Sequence, residues 1–240
     1  VTGASRGLGK SMAMALAEAK ANIVAVARDP VKLQQATKEI SDTGVKVLPI
    51  TVDVTVPEEV DKLVSKVLSE FGKIDILVNN VGTYIGKPMV ESTTEDWFSL
   101  VNTNLTSTYL CCRAVGRHMV ERQKGKVINM AAALGALGAN NAAAYCASKG
   151  GVIQLTRALA VEWAKYNICV NAIAPGTMET EITHTMLEDP AVKKAIIGRI
   201  PMKRVGQPSD LSGVVIFLAG SGSDYVTGQT IFVDGGFSIQ

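Results

Sequence analysis

Long hydrophobic runs are missing from this 240-residue chain, and no uninterrupted apolar stretch approaches the roughly 18 residues that a membrane span requires. An excess of charge is missing too. Lys and Arg number 24 against 22 Asp and Glu, and the densest basic cluster, Lys193-Lys194 with Arg199, is too small to track a nucleic-acid backbone. Neither a membrane nor a nucleic acid is therefore expected as a partner. The four cysteines, Cys111, Cys112, Cys146 and Cys169, show no C-x-x-C spacing, and the two histidines, His118 and His184, lie far from any cysteine pair. No metal site is expected, and the thiols read as reduced and structural, as in a cytoplasmic protein. No signal-peptide pattern opens the sequence.

Apolar residues, by contrast, are plentiful: 47% of the chain is hydrophobic and only 19% charged, enough for a large core in one domain. Short β-branched runs recur at 21–27, 45–54, 74–80, 125–130, 168–175 and 229–235, separated by stretches with helical apolar spacing such as 57–72 and 150–166. Strands apolar on both faces and separated by helices imply a parallel sheet covered on each side. Only Val1 and Thr2 precede the first glycine turn, although a mid-sheet strand needs about five residues, so upstream residues of that strand are expected to be absent from the sequence. Counting it, the pattern predicts one doubly wound Rossmann domain over residues 1–240, with a parallel seven-stranded sheet and helices on both faces.

Gly3, Gly7 and Gly9 form T-G-x-x-x-G-x-G ahead of the helical stretch "KSMAMALAEA". Glycine lets a backbone turn tightly and approach a pyrophosphate, and the helix N-terminus behind it offers N–H groups and a positive dipole end. Ser5 and Arg6 lie in the same loop. The next strand ends Ala27-Arg28-Asp29. An acid at that tip would hold an adenosine ribose, whereas Arg28 together with Arg6 suits a 2′-phosphate, which arginine grips in a bidentate fork. The pair favours NADP(H) over NAD(H), with Asp29 left as a possible ribose contact.

These residues resemble the short-chain dehydrogenase/reductase family in its short form, and the match runs the length of the chain in order. It takes in T-G-x-x-x-G-x-G at 2–9, Asp53 in "VDV", N-N-x-G at Asn79–Gly82, Asn104 in "NTNL", Y-x-x-x-K at Tyr145–Lys149, P-G at Pro175-Gly176 with Thr180, and the terminal "VTGQTIFVDGG". The resemblance implies that Tyr145 is the general acid/base between a ketone and a secondary alcohol. Lys149, one helical turn on, would lower the tyrosine pKa together with the positive nicotinamide of the oxidised cofactor; the resemblance implies that it also holds the nicotinamide ribose and that Asn104 organises a water beside it. Asp53 would contact the adenine, Asn79 would make a backbone contact beside the cofactor, and Thr180 would hold the carboxamide. A homotetramer built through helices at 94–120 and 145–165 is implied as well, with the apolar C-terminus at a second interface.

One position departs from the pattern. The family usually carries a serine 13 residues before the tyrosine, and Ala132 stands there, in "NMAAALG". The missing hydroxyl would donate to the substrate oxygen, and losing one such donor lowers kcat by about 10²–10³-fold. Three readings follow: a deliberate Ser→Ala change, which the retention of every other motif favours; a natural member that works weakly or with a substituted donor; or a cofactor-binding pseudoenzyme. The segment 177–205 reads as a lid over a small carbonyl or alcohol substrate, with Met178, Ile182, Met186 and Val205 either lining a pocket or packing on the core. Across it and its flanks, "NICVNAIAPGTMETEIT" and "LEDPAVKKAIIGRIPMKRVGQPSDL" are similar to gluconate 5-dehydrogenase-like and 3-oxoacyl-thioester reductase-like members.

Overall fold

The computed structural model describes residues 1–240. Each of the six predicted runs forms a strand: β1 (Ile23–Ala27), β2 (Val47–Thr51), β3 (Ile76–Asn79), β4 (Gly125–Met130), β5 (Ile168–Pro175) and β6 (Thr230–Val233). All pairings are parallel, β1 with β2 and then β3-β4-β5-β6 in order. The two ladders are joined by the chain's first residues. Thr2 bridges Val26 of β1 and donates its N–H to Val78 O of β3 at 3.0 Å, while Ala4 N donates to Val26 O. The sheet thus has seven positions, six filled by full strands and the seventh by Val1–Ala4, too short to form a strand of its own.

Period-two alternation sorts the strand side chains onto two faces. Val78 and Ile128 pack with Met12 and Leu16 of α1 (Gly7–Glu18), Leu33 of α2 (Pro30–Ser41) and Val215 of α9 (Ser212–Ala219). Leu77 and Val127 face the other way, toward Val64 of α3 (Pro57–Phe71), Leu110 of α5 (Ser107–Arg122) and Trp163 of α6 (Ala143–Trp163). Each face carries a core of 19 buried residues, so neither side of the sheet is left to solvent. The interior strand β5 is buried along all eight of its residues, as a strand covered on both faces must be.

Three irregularities position the site. The strand order reverses at Val1–Ala4, which opens a crevice at the carboxyl ends of the strands where ligands of such sheets bind. Between α4 (Thr94–Val101) and α5 the helix widens into a single π turn, Asn102–Thr106. Beyond β5, the segment expected to be a lid forms two short helices, α7 (Glu181–Glu188) and α8 (Pro190–Gly198). No helix is long and apolar enough to cross a membrane.

Candidate active site

A cavity of about 840 Å³ runs along the crevice. Its floor is the glycine turn. Gly3 and Gly7 have φ of +66° and +53°, a region that side-chain-bearing residues rarely adopt. Gly9 is needed for a different reason: a Cβ there would lie 2.2 Å from Gly3 O. Helix α1 then begins with no side-chain N-cap and no acid in its first turn, so its leading N–H groups stay free for an anion. A bare turn, free amide donors and a long cavity fit a dinucleotide.

One end of the cavity is charged. Arg6, Arg28 and Lys32 line it together with Asp29, Asp53 and Glu181. Asp29 is committed to capping α2, accepting from Val31 N and Lys32 N. Partial burial pushes the Asp53 carboxyl up, but hydrogen bonds from Thr55 and the charge of Arg28, 3.6 Å away, outweigh it and hold the group below the usual carboxylate range. Arg6 pairs with Glu181 at the start of α7, and Lys32 lies 3.6 Å from the same carboxylate. The hydrogen bond from Arg6, aided by Lys32, holds Glu181 ionised below its ordinary range. The two arginines expected to converge are therefore each matched with a different acid. Lys32 is a third cation that the sequence did not single out.

The other end is apolar and buried. Met130, Ala131, Ala132, Ala133, Tyr145 and Lys149 line it. Tyr145 sits in the first turn of α6 and Lys149 one turn later on the same face. Lys149 is 4% exposed and donates from Nζ to Met130 O at 2.8 Å. Burial lowers its pKa to about 8. Gly82 allows the chain after β3 to pass this lysine, since a Cβ there would lie 3.2 Å from Nζ. Ala132 is buried beside them with an extended backbone (φ −162°) and opens a short 3-10 turn, Ala133–Gly135.

The folded chain also shows partners that the sequence leaves open. Burial, followed by the neighbouring Tyr84 and Cys146, pushes the Tyr145 pKa up to about 12, because desolvation disfavours the phenolate. The Asn79 side chain is buried and donates to Asn129 Oδ1 (2.9 Å) and Cys112 Sγ (3.2 Å), whereas the contact expected of this residue is one of its backbone. Its neighbour Asn80 lines the cavity instead, with Nδ2 donating to Thr2 O at 3.0 Å. Asn104 is fully buried in the π turn and clasps the Thr83 backbone, accepting from its N–H at 2.7 Å and donating to its carbonyl at 3.0 Å. Its amide also donates to Ser148 Oγ, so it touches the helix carrying Tyr145 and does not reach Lys149 by any direct bond.

The remaining predicted residues come together. Ser5, Gly82, Pro175, Gly176 and Thr180 line the cavity. Thr180 N-caps α7 in a reciprocal pair with Thr183 and stands close to Gly7. From the lid, Met178, Ile182 and Met186 line the cavity, as do Val192, Ala195, Ile196 and Arg199, one face of α8 and its C-terminal end. Val205 is buried and does not line it. Tyr84, unremarked in the sequence, stands edge-on to Tyr145 with ring centroids 5.0 Å apart.

Fold and site together define a nucleotide-binding α/β protein with a half-buried tyrosine one helical turn from a buried lysine. Residues 3–238 match a family model described as enoyl-(acyl carrier protein) reductase. The chain is similar to 2-dehydro-3-deoxy-D-gluconate 5-dehydrogenase of Escherichia coli (strain K12), 41% identical over 238 residues that cover 99% of this chain and 93% of the relative. It is also similar to a 3-oxoacyl-[acyl-carrier-protein] reductase of Staphylococcus epidermidis, 38% identical over 98% of this chain and 96% of that one. The crystal structure of a gluconate 5-dehydrogenase from Burkholderia cenocepacia, in complex with NADP and tartrate, superposes with a TM-score of 0.96 at 37% identity, covering 100% of this chain and 94% of the other. The chain belongs to the short-chain dehydrogenase/reductase family, whose members are oxidoreductases of alcohol and carbonyl groups.

Proposed function

We propose that the chain is an NADP(H)-dependent oxidoreductase that interconverts a ketone and a secondary alcohol, with Tyr145 as the acid/base and with turnover limited by Ala132. The observation that carries this reading is one continuous cavity with the bare glycine turn and three cations at one end and Tyr145, Lys149 and Ala132 at the other. The solved relative that holds NADP, at the same fold, supports the cofactor choice. When bound, the nicotinamide supplies or accepts the hydride.

The chain's own residues supply the rest. Arg6, Arg28 and Lys32 hold the adenosine phosphate, Asp53 the adenine side, and the N–H groups of α1 the pyrophosphate. Thr180 orients the nicotinamide carboxamide. Tyr145 Oη gives a proton to the carbonyl oxygen in reduction and takes it back in oxidation. Lys149 binds the ribose hydroxyls, and its ammonium beside the ring favours the phenolate once the oxidised cofactor is present. Asn104 holds Thr83 and the start of α6 in place. Gluconate-type polyhydroxy acids are the substrate class supported by the relatives.

A cytoplasmic homotetramer is part of the same proposal. Four free cysteines support the reducing compartment. Exposed Phe98, Tyr109 and Val161 on α4, α5 and α6, and Phe232 and Ile239 near the C-terminus, support two apolar interfaces.

A second reading, an NADP(H)-binding protein with little or no turnover, is favoured by Ala132 alone. Replacing Ala132 by Ser and assaying carbonyl-dependent NADPH oxidation separates them. A gain in kcat, up to the about 10²–10³-fold expected for one oxyanion donor, supports the oxidoreductase reading. No carbonyl-dependent oxidation by either protein, with cofactor binding intact, would favour the non-catalytic one.

A further inference from the structure

The catalytic end lacks one hydroxyl, and another is held beside it. Tyr84 lines the cavity, and its ring meets that of Tyr145 edge-on, at 77° and 5.0 Å between centroids. It is 43% exposed, so it faces the open cavity and is not part of the packed core. The ring lies where it does because residue 86 is glycine. A Cβ there would sit 2.9 Å from both Cε1 and the hydroxyl of Tyr84.

The backbone carrying Tyr84 is fixed on both sides. Before it, Thr83 is clasped by Asn104. After it, Lys87 N donates to Asn141 O at 2.7 Å, in the loop that leads into α6, and Lys87 Nζ pairs with Asp96 of α4 at 2.7 Å. A tyrosine on an exposed, irregular segment is thus anchored to the helix that bears Tyr145 and to the α4–α5 rod. Aromatic packing against Tyr145 alone would need the ring and no hydroxyl on this cavity-lining residue.

We propose that Tyr84 is the hydrogen-bond donor that stands in for the absent residue-132 hydroxyl, holding the substrate oxygen jointly with Tyr145. The inference rests on the oxidoreductase reading above. It assigns Tyr84 a contact with the reacting oxygen: its O–H donates to the carbonyl oxygen while Tyr145 transfers the proton, and no bond to Tyr84 is made or broken. Residue 132 and residue 84 then perform one task from opposite sides, so their effects are not additive.

The experiment is a four-protein cycle: the parent, Tyr84→Phe, Ala132→Ser and the double variant. kcat, KM and NADPH binding are measured for each with a panel of ketones that includes keto-gluconates. Tyr84→Phe keeps the ring and its edge contact and removes only the hydroxyl. In the parent it should lower kcat about 10–10²-fold with NADPH affinity unchanged. In the Ala132→Ser background the same change should cost less than about threefold. Gly86→Ala, which displaces the Tyr84 ring, should reproduce the loss in the parent. Equal losses from Tyr84→Phe in both backgrounds, or none in the parent, would overturn the proposal. So would activity in Ala132→Ser with none in the parent. No carbonyl-dependent oxidation by any of the four, with NADPH still bound, would instead overturn the oxidoreductase reading and take this inference with it.

Discussion

The two ends of the cavity solve the same problem, holding ionisable groups near a ligand, in opposite ways. At the adenosine end Arg6, Arg28, Lys32, Asp53 and Glu181 are partly or largely exposed, and each cation is already matched to an acid. At the catalytic end Lys149 and Asn104 are buried, and no carboxylate lines that wall. Solvent screens the first end, so its charges are interchangeable and each contributes little. Burial magnifies every change at the second, which is why Lys149 falls to about 8 while Tyr145 rises to about 12. Affinity at this site is distributed, and chemistry is concentrated.

The contrast is tested most severely by Tyr145→Phe. Removing the acid/base should reduce kcat by about 10²–10⁴-fold while NADPH still binds, as fluorescence titration would show. A comparable loss of cofactor affinity would mean that the two ends are not separable. The next effect concerns pH. The folded Lys149 titrates near 8 and the unfolded one near 10.5, so between those values the unfolded chain binds more protons and stability rises with pH. The gain should be on the order of 2–3 kcal/mol and absent from Lys149→Met, read as the difference between their denaturant midpoints from pH 7.5 to 10.

Effects at the charged end should be smaller. Arg28→Ala should lower the preference for NADPH over NADH by about tenfold, measured as a ratio of dissociation constants, because Arg6 and Lys32 remain. Smallest of all, Glu181→Gln releases Arg6 and Lys32 for the phosphate. Cofactor affinity should rise no more than about threefold, with the melting curve unmoved. A large change in either would show that the exposed charges act as a fixed network.

The fold was legible because a strand covered on both faces is written as a continuous apolar run, and all six runs became strands. The glycine turn was legible for a similar reason, since backbone geometry at Gly3, Gly7 and Gly9 admits little else. Side-chain direction was harder. Asn79 and Asn80 are adjacent at a strand end, where a one-residue difference decides between core and cavity. The π turn leaves no mark in the hydrophobic spacing. Tyr84 lies on a segment with neither helical nor strand period, and only the folded chain brings it to Tyr145, 61 positions further along. The resemblance named Tyr145 and Lys149, but the burial that raises the tyrosine pKa in the chain itself is a property of the folded cavity and leaves no mark in the spacing.

The wide turn at Asn102–Thr106 makes the length of its helix a constraint in itself. It holds one residue more than an α-helical turn would. Losing one residue from this turn would return it to α-helical winding and leave Leu110, Cys111 and Val115 close to their present phase on the sheet. Asn104 would then lose the outward placement from which it clasps the Thr83 backbone. The same loss from the regular winding one turn further along would rotate all that follows by about 100° and carry those core residues off the sheet. A single-codon deletion in the wide turn therefore strikes the site and spares the core, whereas one beyond it strikes the core.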